Sequence, residues 1–124
     1  MVVDTSAVLA VFFGEPSARW VSSQLTANAR ALRMSTVNLT ETLIHIRDRQ
    51  PQLAAEIEER LLASGIRFVP PDMEQARTAA RARLMYPLNL GDCFAYALAA
   101  AEDCAILTLD DDFRKTDRPV LLPP

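Results

Sequence analysis

The chain opens on Met1-Val2-Val3-Asp4-Thr5-Ser6-Ala7-Val8, and this octet constrains the fold more than any other stretch. A short apolar run meets a carboxylate, then two hydroxyls, then a second apolar run. The pattern predicts a buried strand over residues 1–4 that carries Asp4 to the edge of a sheet. A helix over about Ser6–Phe13 follows, with Thr5 or Ser6 as its N-cap. Desolvating an acid at the end of a buried strand is costly unless something meets it. The strand is therefore expected in the core, and the question is what Asp4 finds there.

The remaining chain alternates strand and helix signals. Gly14-Glu15-Pro16 breaks the first helix, and a second, with Pro16 at its first turn, runs to about Asn28. Residues 31–35 read as a strand. Ser35-Thr36 caps a helix over about Val37–Arg49, with Leu39, Leu43 and Ile46 inward and Glu41 beside that stripe. A helix over Gln52–Ser64 places Leu53, Ile57, Leu61 and Leu62 inward, and Gly65 ends it. Ile66–Val69 is a strand, and Asp72 opens a helix to about Met85. Leu88–Gly91 reads as a loop before an alanine-rich helix from Asp92 to about Asp103. Residues 104–109 form a buried strand, and Val120–Leu122, flanked by prolines, a last edge strand. Such alternation implies βαβ units, hence a three-layer α/β/α sandwich around a mostly parallel sheet, in a single domain over residues 1–124.

Composition narrows the function classes. Half of the residues are apolar and 23% are charged, as in a globular protein. The longest apolar run near the start, Ala7–Phe13, is too short to span a bilayer, and no basic segment precedes it. Cys93 and Cys104 fit neither a metal pair nor a disulfide framework, so they are expected reduced and buried, in the cytoplasm. The net charge of −3 argues against a protein that coats nucleic acid. Twelve of the thirteen basic residues are arginine, the side chain that grips phosphate bidentately.

Acids stand at the ends of several elements. Ligands in open α/β sheets bind beyond the carboxyl ends of the strands. Asp4 and Asp110 end strands, while Glu41 and Asp92 lie near helix starts. Four carboxylates converging on one cleft repel each other unless a cation joins them. Mg²⁺ and Mn²⁺ favour such oxygen donors. His45 is the only histidine, so a histidine base is not expected. Each acid also has a plainer role: a cap for Asp4 or Asp92, an ion pair with His45 for Glu41, turn chemistry for Asp110.

At these residues the sequence resembles the PIN-domain ribonucleases, in particular VapC-type toxins of toxin–antitoxin pairs. The resemblance rests on Val2-Val3-Asp4-Thr5-Ser6-Ala7, Asn38-Leu39-Thr40-Glu41, Leu90-Gly91-Asp92-Cys93-Phe94-Ala95-Tyr96-Ala97 and Leu107-Thr108-Leu109-Asp110-Asp111-Asp112-Phe113. It covers the whole chain in order. It implies a PIN-like fold and an endoribonuclease that uses one or two Mg²⁺ or Mn²⁺ ions. Asp4, Glu41, Asp92 and Asp110 match the family's acidic quartet, and Asp112 an additional acid near the metal. Ser6 and Thr108 match supporting polar positions. This sequence departs from the pattern with a third acid, Asp111, between Asp110 and Asp112; Asp110 is favoured for the metal because it follows the strand. The resemblance also implies water as the nucleophile and products with a 5′-phosphate and a 3′-hydroxyl. Expected partners are an RNA substrate, a VapB-type antitoxin whose C-terminal segment crosses the acidic groove, and a second copy of the chain. DNA would be met only through the antitoxin, and no membrane is involved. Arg77, Arg81, Arg83, Arg114 and Lys115 are candidates for RNA phosphate contacts, and the helices over 16–28 and 52–64 for the dimer or the antitoxin.

Three other classes are weighed against this one. Phosphatases of the haloacid-dehalogenase type need a second acid two residues after the first, where this chain has Ser6. Phospho-receiver domains need an acid ending the third strand, where this chain has Val69-Pro70-Pro71. A non-catalytic module that binds RNA or a partner stays open, although binding alone does not require four mutually repelling acids.

Overall fold

The computed structural model describes all residues, Met1–Pro124. Five short strands form one sheet in the order β3-β2-β1-β4-β5. They are β1 (Val2–Val3), β2 (Arg33–Ser35), β3 (Arg67–Val69), β4 (Ile106–Leu107) and β5 (Val120–Leu121). Every adjacent pair is parallel, so the expected mostly parallel sheet is wholly parallel. Six α-helices connect the strands: α1 (Thr5–Phe12), α2 (Ala18–Ala27), α3 (Thr36–Arg49), α4 (Ala54–Leu62), α5 (Met73–Met85) and α6 (Leu90–Glu102). A 3₁₀ helix, Asp111–Lys115, lies between β4 and β5.

Side chains alternate across the sheet, and the alternation sorts the core into two layers. Val2 and Ile106 pack with Ala79, Ala82, Leu98 and Phe113 on the α5/α6 face. Val3 and Leu107 pack with Ala7, Val21, Met34 and Leu61 on the face covered by α1, α2 and α4. Burying two valines and two aliphatic partners between helical layers is worth about 1.5–3 kcal/mol per side chain against full exposure. The three-layer sandwich follows directly from this two-sided burial.

The strand order sets the position of the site. From β1 the chain moves to β2 and β3 on one side, then returns to β4 and β5 on the other. The direction of winding reverses between β1 and β4, which leaves a crevice beyond their carboxyl ends. The backbone N–H of Asp4 donates to Leu107 O at 2.9 Å, so the two strands finish side by side.

Several sequence expectations shift by a residue or more. Asp4, not Thr5 or Ser6, is the N-cap of α1, and its side chain makes no cap hydrogen bond. Pro16 lies ahead of α2, whose N-cap is Ser17, because the turn after Gly14 (φ +62°) continues through it. Leu53 and Leu62 point to solvent, 50% and 54% exposed, and Ile57 and Leu61 alone of that stripe are buried. The buried face of α3 is Asn38, Thr42 and Ile46, while Leu39 and Leu43 are only partly covered. α6 starts at Leu90, so Gly91 and Asp92 are helical rather than loop and boundary. Strand β4 stops at Leu107, three residues before Asp110.

Candidate active site

Asp4 leaves β1 at the crevice, nearly fully buried. Its Oδ2 accepts from Ser6 Oγ at 2.8 Å and from Thr108 Oγ1 at 2.9 Å. Both hydroxyls are oriented by backbone donors: Leu109 N–H reaches Ser6 Oγ at 3.0 Å, and Asp110 N–H reaches Thr108 Oγ1 at 3.0 Å. Each hydroxyl accepts with a lone pair and spends its one proton on Asp4. Ser6 and Thr108 thus lock the carboxylate and join α1 to the segment after β4. Oδ1 of Asp4 is buried without any partner. Burial pushes the Asp4 carboxyl up from the usual range, Glu41 adds to that, and the Ser6 and Thr108 hydrogen bonds work against it.

Asp92 arrives from the other side, in the first turn of α6. Asn89 caps that helix, its Oδ1 accepting from Asp92 N–H at 2.8 Å. Burial, followed by the charges of Asp4 and Asp110, pushes the Asp92 carboxyl up to about 7. The positive end of the helix dipole, which favours an anion there, is outweighed.

Glu41 sits one turn into α3. Its Oε1 accepts from Thr5 Oγ1 at 3.0 Å and from Asn38 Nδ2 at 3.0 Å. Gly91 supplies the space the carboxylate occupies: a Cβ at that position would collide with both Glu41 oxygens. Asp110 caps the 3₁₀ helix, its Oδ1 accepting from Asp112 N–H at 2.9 Å.

These four acids line one pocket of about 220 Å³ together with Thr5, Ser6, Leu9, His45 and Asn89. None of them takes part in any ion pair of the protein. Asp112 does not line the pocket; it pairs with Lys115 at 3.2 Å, as Asp111 pairs with Arg114 at 3.0 Å. Arg114 and Lys115 are therefore spent partly on local acids. Arg77 lies 4.0 Å from Glu74, while Arg81 and Arg83 are exposed on α5 without a carboxylate partner. Arg83 lines a shallow apolar groove between α5 and α6.

The donor set fits a hard divalent cation. An orphaned buried carboxylate oxygen and four acids without a cationic partner have an unmet electrostatic need. No three acidic, histidine or cysteine side chains are gathered tightly enough to enclose an ion by themselves. A cation bound here would therefore have to keep waters in its shell, as Mg²⁺ does when held by one or two carboxylates.

Six pocket or near-pocket residues were not assigned to the site from the sequence: Thr5, Leu9, Asn38, His45, Asn89 and Gly91, Thr5 being expected only as a cap and His45 only as an ion-pair partner of Glu41. Three carried a partial signal, outweighed by the plainer readings of loop and solvent face. Asn38 stands at i−3 from Glu41, where helical side chains meet. Asn89 stands three residues before Asp92, the spacing of a side-chain cap. Gly91 inside a helix costs about 1 kcal/mol relative to alanine, which asks for a reason.

Comparison with known proteins identifies the family of the chain. A family model described as PIN domain matches residues 1–119. Ribonuclease VapC42 of Mycobacterium tuberculosis is 36% identical over 127 residues, covering 94% of this chain and 95% of that protein. Ribonuclease VapC of Mycolicibacterium smegmatis is 34% identical, covering 94% and 96%. Among solved structures, Mycobacterium tuberculosis VapC20, described as a sarcin–ricin loop cleaving toxin, superposes with a TM-score of 0.83 at 17% identity, covering 98% of each chain. A toxin–antitoxin complex from Klebsiella pneumoniae gives 0.78 at 20% identity, covering 99% and 97%. With the family model spanning nearly the whole chain and relatives above 30% identity along its length, this protein belongs to the PIN-domain family, among the VapC ribonucleases.

Proposed function

We propose that the chain is a Mg²⁺- or Mn²⁺-dependent endoribonuclease, the toxin of a toxin–antitoxin pair, which hydrolyses RNA phosphodiester bonds in the cytoplasm and so inhibits translation and growth. The observation that carries this is Asp4 Oδ1, buried and without a donor, on one of four acids that line a single pocket and that no basic side chain neutralises. A bound divalent cation supplies the missing charge, lowers the pKa of a coordinated water and polarises the phosphoryl oxygens.

The protein's own residues do the rest. Asp4 and Asp92 are the first-choice ligands, because one has a free oxygen and both lie on the crevice between β1 and β4. Glu41 and Asp110 would hold the cation through water, or would hold a second one. Ser6 and Thr108 hold Asp4 in one rotamer, which keeps its free oxygen fixed before the substrate arrives. Arg81 and Arg83, exposed and without a carboxylate partner, are the phosphate contacts we favour; such contacts position a nucleic acid without reading its sequence.

Partners follow from the surface. An apolar cavity of about 250 Å³ lies between α1, α2 and α4, lined by Val8, Val11, Phe12, Leu25, Leu61 and Ile66. Solved relatives include toxin–antitoxin complexes, and this cavity is our candidate seat for an antitoxin segment. The protein would then act as a homodimer within a toxin–antitoxin hetero-oligomer, meeting DNA only through the antitoxin. No helix is long and apolar enough to cross a membrane.

The decisive experiment compares the chain with Asp4→Asn on RNA in Mg²⁺, with mapping of 5′-phosphate ends. The variant is isosteric and removes a buried charge, so it should fold and lose cleavage. Full Mg²⁺-dependent cleavage by Asp4→Asn, or turnover of small phosphate esters with no RNA cleavage, would overturn the reading.

A further inference from the structure

Asn38 is wholly buried in α3, one turn before Glu41. Its Nδ2 donates to Glu41 Oε1 at 3.0 Å and to the Gly91 carbonyl at 3.0 Å, and Thr5 Oγ1 lies at 3.4 Å. An amide nitrogen carries two protons, and the two shorter contacts use both. Oδ1 is left buried with no partner. Turning the amide over would set Oδ1 against a carboxylate and a carbonyl, two acceptors facing a third. The unsatisfied oxygen is the lesser cost, so the amide orientation is fixed by Glu41 and α6.

Thr5 adds a second donor to the same carboxylate oxygen. Its single proton can also reach the Asn38 carbonyl, at 3.2 Å. On the far side, glycine at position 91 leaves room for the carboxylate against the start of α6. Glu41 is thus held between α1, α3 and α6, with Oε1 saturated and Oε2 free of protein donors.

We propose that Asn38 is the positioning residue of Glu41: with Thr5 it saturates Oε1 and leaves Oε2 as the oxygen offered to a hydrated divalent cation. The inference rests on the metal-dependent reading above and deepens it. Asn38 touches neither cation nor RNA; it acts by removing the rotational freedom of a flexible glutamate.

The test measures Mn²⁺ binding to the full chain by titration calorimetry, with circular dichroism to verify folding. Asn38→Ala should weaken Mn²⁺ about 10–100-fold, the usual cost of losing a residue that orients a ligand. In a Glu41→Gln background three carboxylates remain to bind the ion, and there Asn38→Ala should change the affinity less than about twofold. Thr5→Val, nearly isosteric, should repeat the pattern with a smaller loss, and decides the matter if Asn38→Ala fails to fold. Unchanged Mn²⁺ affinity in the variants, or an equal loss with and without Glu41, overturns the proposal and leaves the nuclease reading standing. A wild-type chain that binds no Mn²⁺ overturns the metal reading, and this proposal with it.

Discussion

The carboxylate of Glu41 occupies the volume that the side chain of residue 91 would fill if it were anything but glycine. The two residues are far apart in sequence, on helices α3 and α6, which pack against each other. Gly91→Ala should displace Glu41 and lower RNA cleavage at least about tenfold, as loss of ligand placement does. The stability effect should change sign with the partner. Alone, Gly91→Ala destabilises, because the methyl meets a charged group. In a Glu41→Ala background it should stabilise by up to about 1 kcal/mol, the ordinary gain of alanine over glycine in a helix. Melting curves of the four proteins measure this; a destabilising Gly91→Ala in both backgrounds would place the conflict elsewhere.

Asp92 predicts an inverted pH dependence for the metal-free fold. Its carboxyl titrates at about 7 in the folded chain, through burial first and then Asp4 and Asp110, against 3.8 for an unperturbed aspartate. Between those values the unfolded chain has lost the proton and the folded chain keeps it, so raising the pH favours unfolding. Below that window the effect is absent; above it the loss is complete. Asp4, raised mainly by burial, acts in the same direction. In EDTA, the melting temperature should fall from about pH 5, where ordinary carboxylates have finished titrating, to neutrality. Asp92→Asn should flatten part of that slope, Asp4 accounting for the remainder. Saturating Mg²⁺ should raise the melting temperature more at alkaline than at acid pH, because it binds the ionised form. A metal-free melting temperature that rises across the window would contradict the placement of Asp92.

The sequence disclosed the acids more readily than what holds them. Asp4 was legible because an apolar run ends on it. The layered α/β architecture was legible because strand and helix periods alternate. The order of the strands was not: alternation alone does not say that β1 lies between β2 and β4, and that order is what makes a crevice at Asp4. Asn38 and Thr42 were hidden because a polar residue on a helix reads as a solvent face, while here both are fully buried. Gly91 was hidden because glycine before an acid reads as loop; its helical position became intelligible only with Glu41 beside it. Asp110 was expected at the strand end, yet Thr108 holds that place and Asp110 reaches the pocket by capping a 3₁₀ turn.

Thr108 supplies a third prediction. It is fully buried and serves as donor to Asp4 and acceptor for Asp110 N–H. Thr108→Val keeps the shape and removes both roles, leaving buried polar groups unpaired at a cost of about 1–3 kcal/mol. Cleavage should fall about tenfold or more, since the Asp4 carboxylate loses one of its two side-chain anchors. Thr108→Ser retains the hydroxyl and should keep most activity. Thr108→Val cleaving as fast as Thr108→Ser would show that Ser6 alone fixes Asp4.

The apolar cavity between α1, α2 and α4 should separate inhibition from catalysis. Leu25 lines it and is only partly buried by the protein itself, far in sequence from every acid of the pocket. Truncating a side chain that a partner covers typically costs more than 1 kcal/mol at an anchor position and near nothing elsewhere. If an antitoxin segment seats in this cavity, Leu25→Ala should weaken its hold at least about fivefold, a loss of roughly 1 kcal/mol. RNA cleavage by the free protein should stay unchanged, because the substitution lies outside the acid pocket. The measurement is a titration of cleavage against a VapB-type antitoxin that inhibits the parent chain, for both proteins, with melting curves to establish equal folding. Identical inhibition curves for Leu25→Ala and the parent chain would remove the cavity as the antitoxin's seat.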